Sequence, residues 1–135
     1  MSESDDQDAL PQLQAVHPVT LTPESVTAVA TLAASLGLEA VRVDLAGCED
    51  KAGLLERISA ALAFPSWFGA NWDALYDCLV DLSWRPGKGW VLILENAHDL
   101  RYAAPDALDN ALAILNDAAI AWQARGVPLR VLVAA

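Results

Sequence analysis

Asp73, Asp77 and Asp81 stand at i, i+4 and i+8, a spacing that puts three carboxylates in one row on a helix. Like charges at i, i+4 destabilise a helix by roughly 0.2–0.5 kcal/mol per pair. No Lys or Arg occurs between Arg57 and Arg85 to offset them. Asp73 has a structural reason to be there, because the first turn of a helix favours an anion. Asp77, between two other acids, has none. Aromatic residues accompany the row: Trp67 and Phe68 before it, Trp72 and Tyr76 within it. Carboxylates beside exposed rings suit an interface that accepts hydrogen bonds from a partner's cationic groups. The plain alternative for Asp77 and Asp81 is a solvated polar face. Glu95 is a separate case, ending the otherwise apolar run Trp90–Glu95 at the carboxyl edge of a strand. Open α/β sheets place ligand-contacting groups there, although a solvated strand end is equally common. Together, Asp73, Asp77 and Glu95 are expected to form one acidic surface with Asp77 at its centre.

Other chemistries find less support. A hydrolase needs paired carboxylates, a nucleophile with its base, or a metal cluster, and the chain has two histidines, His17 and His98. A lone His near a strand end is more often structural than catalytic. Asp73, Asp77 and Glu95 imitate a magnesium site in their hard oxygens, but no phosphate-binding glycine loop or basic group accompanies them. Gly87 and Gly89 flank Lys88 without the P-loop spacing. Cys48 and Cys78 make neither a disulfide framework nor a zinc site. The expectation is a non-enzyme with no cofactor and no metal.

Composition narrows the partners. Eighteen acids against eight bases give a net charge of −10 over 135 residues. Nucleic acid is a poor partner for such a chain, because phosphate binding rests on clustered Lys and Arg. A basic protein is a good one. No apolar run approaches the length needed to span a bilayer. The opening MSESDDQDAL lacks the basic and apolar regions of a secretion signal, so a cytoplasmic monomer is expected.

The elements that must position these residues follow from periodicity. Residues 1–21 read as an acidic, disordered tail with a short edge strand open over Pro11–Val19, ended by Pro18. Residues 22–37 read as a helix, opened by Thr22-Pro23-Glu24 and closed by Gly37. Residues 38–135 form the main domain. Glu39–Ala46 alternates as a strand, Asp50–Ala63 is an amphipathic helix, and Gly69 marks a loop by its tolerance of positive φ. Asn71 caps a helix that carries Trp72, Leu75, Leu79 and Leu82 on one face. Trp90–Glu95 reads as a strand covered on both faces, Asn96–Ala104 holds a short helical turn, Pro105–Arg125 is a long helix and Leu129–Val133 a last strand. Strands separated by helices imply right-handed crossovers. The fold class is therefore α/β, a three-stranded parallel sheet packed against helices, with an additional N-terminal helix.

The run Pro65-Ser66-Trp67-Phe68-Gly69-Ala70-Asn71-Trp72-Asp73-Ala74-Leu75-Tyr76-Asp77-Cys78-Leu79 resembles the signature of the barstar family of intracellular ribonuclease inhibitors. The resemblance runs from Glu39 to the C-terminus, and it implies the same sheet and helices. It also implies a function: blocking the active site of a basic ribonuclease, as an immunity protein does. On that resemblance Trp67 stands for a loop tyrosine that packs on the enzyme, and Gly69 and Asn71 for the tight loop presenting it. Asp73 and Asp77 match interface acids, Tyr76 an interface tryptophan, and Glu95 a third acid facing the enzyme. The barstar aspartate at the position of Asp77 is itself a standard example of an interface hot spot, so its weight is carried over and not deduced from this chain. Ala70 replaces an acid of the family, Trp72 a leucine, and Asp81-Leu82 a Gly-Trp pair at the interface. The other function class open to the residues is an acidic binding module with a different basic partner, or one that self-associates through Trp67, Trp72 and Tyr76.

Overall fold

The computed structural model describes residues 13–14, 18–85 and 87–135. The expected acidic tail, Met1–Leu10, and His17 lie outside them. Strand β1 spans Val19–Leu21, and a 3-10 turn at Pro23–Ser25 leads into helix α1, Val26–Ser35. Strand β2 (Glu39–Asp44) and helix α2 (Lys51–Leu62) follow, then helix α3 (Trp72–Asp81), strand β3 (Trp90–Glu95) and the short helix α4 (His98–Ala103). The long helix α5 (Pro105–Ala124) and strand β4 (Leu129–Ala134) complete the chain. Helix starts obey local rules: the Asp50 side chain accepts from the Gly53 N–H at α2, and Asn71 does the same for Ala74 at α3.

The sheet is parallel throughout, in the order β1-β4-β3-β2. It has four strands where the sequence reading expected three. The fourth is β1, which follows Pro18 instead of ending at it, with Val19 opposite Leu132 and Leu21 opposite Ala134. Proline lacks an N–H to donate, so it suits the position just before an edge strand. Three residues give too weak a periodic signal to separate a strand from a loop.

Each face of the sheet has its own core. Val41, Val43, Leu92, Leu94, Val131 and Val133 pack with α2, α3, α4 and α5. Val91, Ile93, Leu132 and Ala134, one residue out of phase, pack with Leu21 and with Val26, Val29 and Ala33 of α1. Covering on both faces is why β3 and β4 read as unbroken apolar runs. Gly89 at the start of β3 is required by closeness: an added Cβ would lie 2.6 Å from Pro128. Helix α3 packs chiefly on α5, at the outside of the molecule.

Candidate functional site

Both ends of α3 are held. Asn71 Oδ1 accepts from the Ala74 N–H at 2.8 Å, and Asp73 lies in the first turn, where the dipole favours it. At the other end, Trp122 Nε1 donates to the Leu79 carbonyl and Arg125 Nη1 to the Val80 carbonyl, each at 2.7 Å. These donors, from α5 and the residue that caps its end, satisfy carbonyls that the last turn leaves without partners, and the cation complements the negative helix end. Leu75, Cys78 and Leu79 are fully buried beneath. Burial pushes the Cys78 thiol pKa up, aided by Asp77 and Asp81, so Cys78 behaves as a small hydrophobe.

The outward face of this fixed helix carries Asp73, Tyr76 and Asp77. With Trp72 they line an open cavity of about 530 Å³ against α5, whose contributions are Ile114 and Asp117. Asp117 is a residue that sequence reasoning missed. It is one acid among several on a long helix, 40 residues beyond Asp77 in the chain, and only the docking of α3 on α5 brings it to the cavity. Among the described residues, no side-chain hydrogen bond or ion pair engages Asp73, Asp77 or Asp117. Asp81 is exposed and lies outside the cavity lining. The structure also supplies a cation that the local sequence lacks: Lys51 Nζ of α2 lies 4.9 Å from the centre of the Trp72 ring.

Trp67, in the loop before α3, is 57% exposed. Its ring meets Trp84 edge to face at 6.3 Å, and Trp84 in turn meets Phe64 at 6.0 Å. Trp84 is itself anchored by Nε1 donating to the Leu62 carbonyl. The loop aromatic therefore stands on a fixed support. Gly69 is exposed, but the left-handed residue is its neighbour Ala70 (φ 52), contrary to the expectation that Gly69 takes the positive φ. Asn71 turns both amide atoms inward, Oδ1 to Ala74 and Nδ2 toward the Gly69 carbonyl at 3.4 Å.

Glu95 is not brought to the cluster, which corrects the expectation of a single acidic surface. It is in phase with Val91 and Ile93, whose side chains belong to the α1 face, whereas Leu75 and Leu79 of α3 belong to the other face. Its carboxylate grips Arg42 of β2 in a fork, at 2.6 Å to Nε and 2.8 Å to Nη2. That bidentate bond raises the Arg42 pKa, burial opposing it slightly. Strand alternation decides the matter: a position at the carboxyl edge does not specify which face a side chain takes. Among the described residues no group of three His, Cys, Asp or Glu is arranged to hold a metal ion, and no helix is long and apolar enough to cross a membrane. His98 is exposed at the start of α4.

Comparison with known proteins places this geometry. Among solved structures, the ORC2 protein of Aeropyrum pernix, determined as ADPNP–ADP complexes, is similar with a TM-score of 0.64 at 17% identity. The similarity covers 99% of this chain and 40% of that protein, and at this identity it is a likeness of fold. No curated protein matches the chain significantly in sequence. The family model described as "Barstar (barnase inhibitor)" matches residues 38–134. That segment holds α3, the loop before it and three of the four strands, and the chain belongs to the barstar family.

Proposed function

We propose that this protein is a non-enzymatic inhibitor that binds a basic ribonuclease and blocks its active site through α3. The observation that carries the reading is the cluster of Asp73, Asp77 and Asp117 around one open cavity, none neutralised within the described structure, in a chain of net charge −10. A ribonuclease holds its scissile phosphate with cationic side chains. A carboxylate offered from a rigid helix takes the phosphate's place and accepts the same hydrogen bonds. Tyr76, 36% exposed, lines the cavity with the carboxylates and excludes water from them once a partner is seated, and Trp67, 57% exposed, offers a second ring to the partner. Asp77 is the central contact, Asp73 and Asp117 its neighbours. Gly69 and Asn71 serve by shaping the loop.

One observation favours a partner other than the ribonuclease of the family's name. Leu82 stands where the family pattern has an interface tryptophan, and it is 1% exposed. Leu82 offers no ring to a partner, so the same fold meets a partner of different shape. An inhibition assay of the purified protein against a panel of basic ribonucleases tests the proposal. Stoichiometric inhibition, abolished in Asp77→Ala, supports it. Tight binding of a basic protein without loss of nuclease activity would favour the binding-module reading, and no binding of any basic protein would overturn both.

A further inference from the structure

Arg130 is the one basic residue of β4 and its side chain lies on the α1 face, in phase with Leu132 and Ala134. Its Nε donates to the Leu13 carbonyl at 2.7 Å. Its Nη1 is buried and, among the described residues, donates to nothing. No ion pair among the described residues involves it, and burial pushes its pKa down from the ordinary value. Guanidinium carries five donors, no acceptor, and a charge it cannot shed near neutrality. A partly desolvated cation of this kind is unfavourable until an anion accompanies it. The same residue forms part of the wall of a cavity of about 350 Å³, with Gln14, Gln123, Gly126, Val127 and Pro128 as its other described lining. None of these residues lines the cavity of Asp73, Asp77 and Asp117.

We infer that this cavity is a binding site for a carboxylate, which sits against Arg130 with the Gln14 and Gln123 amides beside it and its apolar part on Val127 and Pro128. The volume falls at the lower end of the range of small-ligand sites, roughly 300–1,000 Å³. Because guanidinium charge is delocalised, an oxyanion on the edge facing the cavity compensates the whole group, the sealed Nη1 included. One guanidinium with two neutral amides matches a planar monoanion, and a chain of charge −10 repels a dianion such as phosphate more strongly. The carboxylate has two possible sources. One is a free small acid; the other is the chain's own Glu3, Asp5, Asp6 or Asp8, which precede Leu13 by five to ten residues.

Titration of the full-length protein with benzoate, followed by amide NMR shifts of Gly126, Val127 and residues 129–131, tests the site, with benzamide as the neutral control. Benzoate is expected to shift these amides saturably, and benzamide to leave them in place. Arg130→Met should weaken benzoate binding about ten-fold or more, as loss of a charge-assisted bond does. Gln123→Leu, an exposed position, should weaken it about three-fold and serves if Arg130→Met fails to fold. A variant with Glu3→Gln, Asp5→Asn, Asp6→Asn and Asp8→Asn separates the sources. Benzoate binding at least about ten-fold tighter than wild type assigns the site to the chain's own acids, and equal affinity assigns it to a free acid. Unmoved amides in both wild type and this variant, or wild-type affinity in Arg130→Met, would overturn the inference.

Discussion

At the scale of the residue, Asp77 and Leu79 lie two positions apart on one helix and have opposite roles. Asp77 has acidic neighbours four residues away on either side and no partner within the described structure. Asp77→Ala should therefore leave stability unchanged or slightly raised, by roughly 0.2–0.5 kcal/mol for each like-charge pair removed. Leu79 is fully buried, so Leu79→Ala should cost about 2–5 kcal/mol. Urea midpoints of the two variants check both, and a clearly less stable Asp77→Ala would show that its carboxylate is structurally engaged. Asp117 gives a second expectation. If α5 contributes to the partner site, Asp117→Asn should weaken nuclease binding at least about three-fold at unchanged stability, measured by calorimetry beside Asp81→Asn, which lies outside the cavity.

At the scale of the element, α3 is fixed at both ends, by its own cap Asn71 at the start and by donors from Trp122 and Arg125 at the end. Asn71→Ala should remove about 1 kcal/mol of stability, whereas Asn71→Asp keeps an acceptor at the cap and should retain most of it. Thermal or urea unfolding distinguishes the two. Equal losses would mean that the Nδ2 bond to Gly69, and not the cap to Ala74, holds the loop. The loop signal was legible in the sequence as Pro65, Gly69 and Asn71 together. The residue that takes the left-handed turn was not, because Ala70 is held at φ 52 by the closure of the loop onto α3 and not by its own preference.

At the scale of the whole molecule, the proposed function assigns the −10 charge to approach and the cavity to residence. Association with a basic partner should slow as salt rises from about 0.01 to 0.15 M, since the screening length shrinks from about 30 to 8 Å. Stopped-flow rates decide this, and a salt-independent on-rate would remove electrostatic steering from the mechanism. The stretch before Leu38 has an architectural role of its own. Deleting residues 1–37 removes β1 and α1 and uncovers Val91, Ile93 and Leu132, each at most 1% exposed in the full chain. The fragment should bind a hydrophobic dye or aggregate; a soluble, cooperatively folding fragment would show that the family domain closes without its second layer.

Much of this protein was legible in the sequence, because local chemistry writes those parts. Periodic patterns located β2, α2, α3 and α5, and apolar runs located β3 and β4. Asn71 announced a helix start, and the run from Pro65 to Leu79 announced the family. The two-sided burial of β3 was readable in Trp90–Leu94 as an unbroken apolar run. The helix over residues 22–37 was readable too, but not that its Val26, Val29 and Ala33 cover the second face of β3, and three residues of β1 carry too little periodicity to announce the fourth strand. Only tertiary packing decided the membership of the acidic site. Strand alternation sent Glu95 to Arg42 on the far face, and docking of α5 on α3 brought Asp117 in its place. The physical reason is common to both: a side chain's type is local, but its neighbours depend on which face an element turns to which other element. That choice is made by the whole core at once.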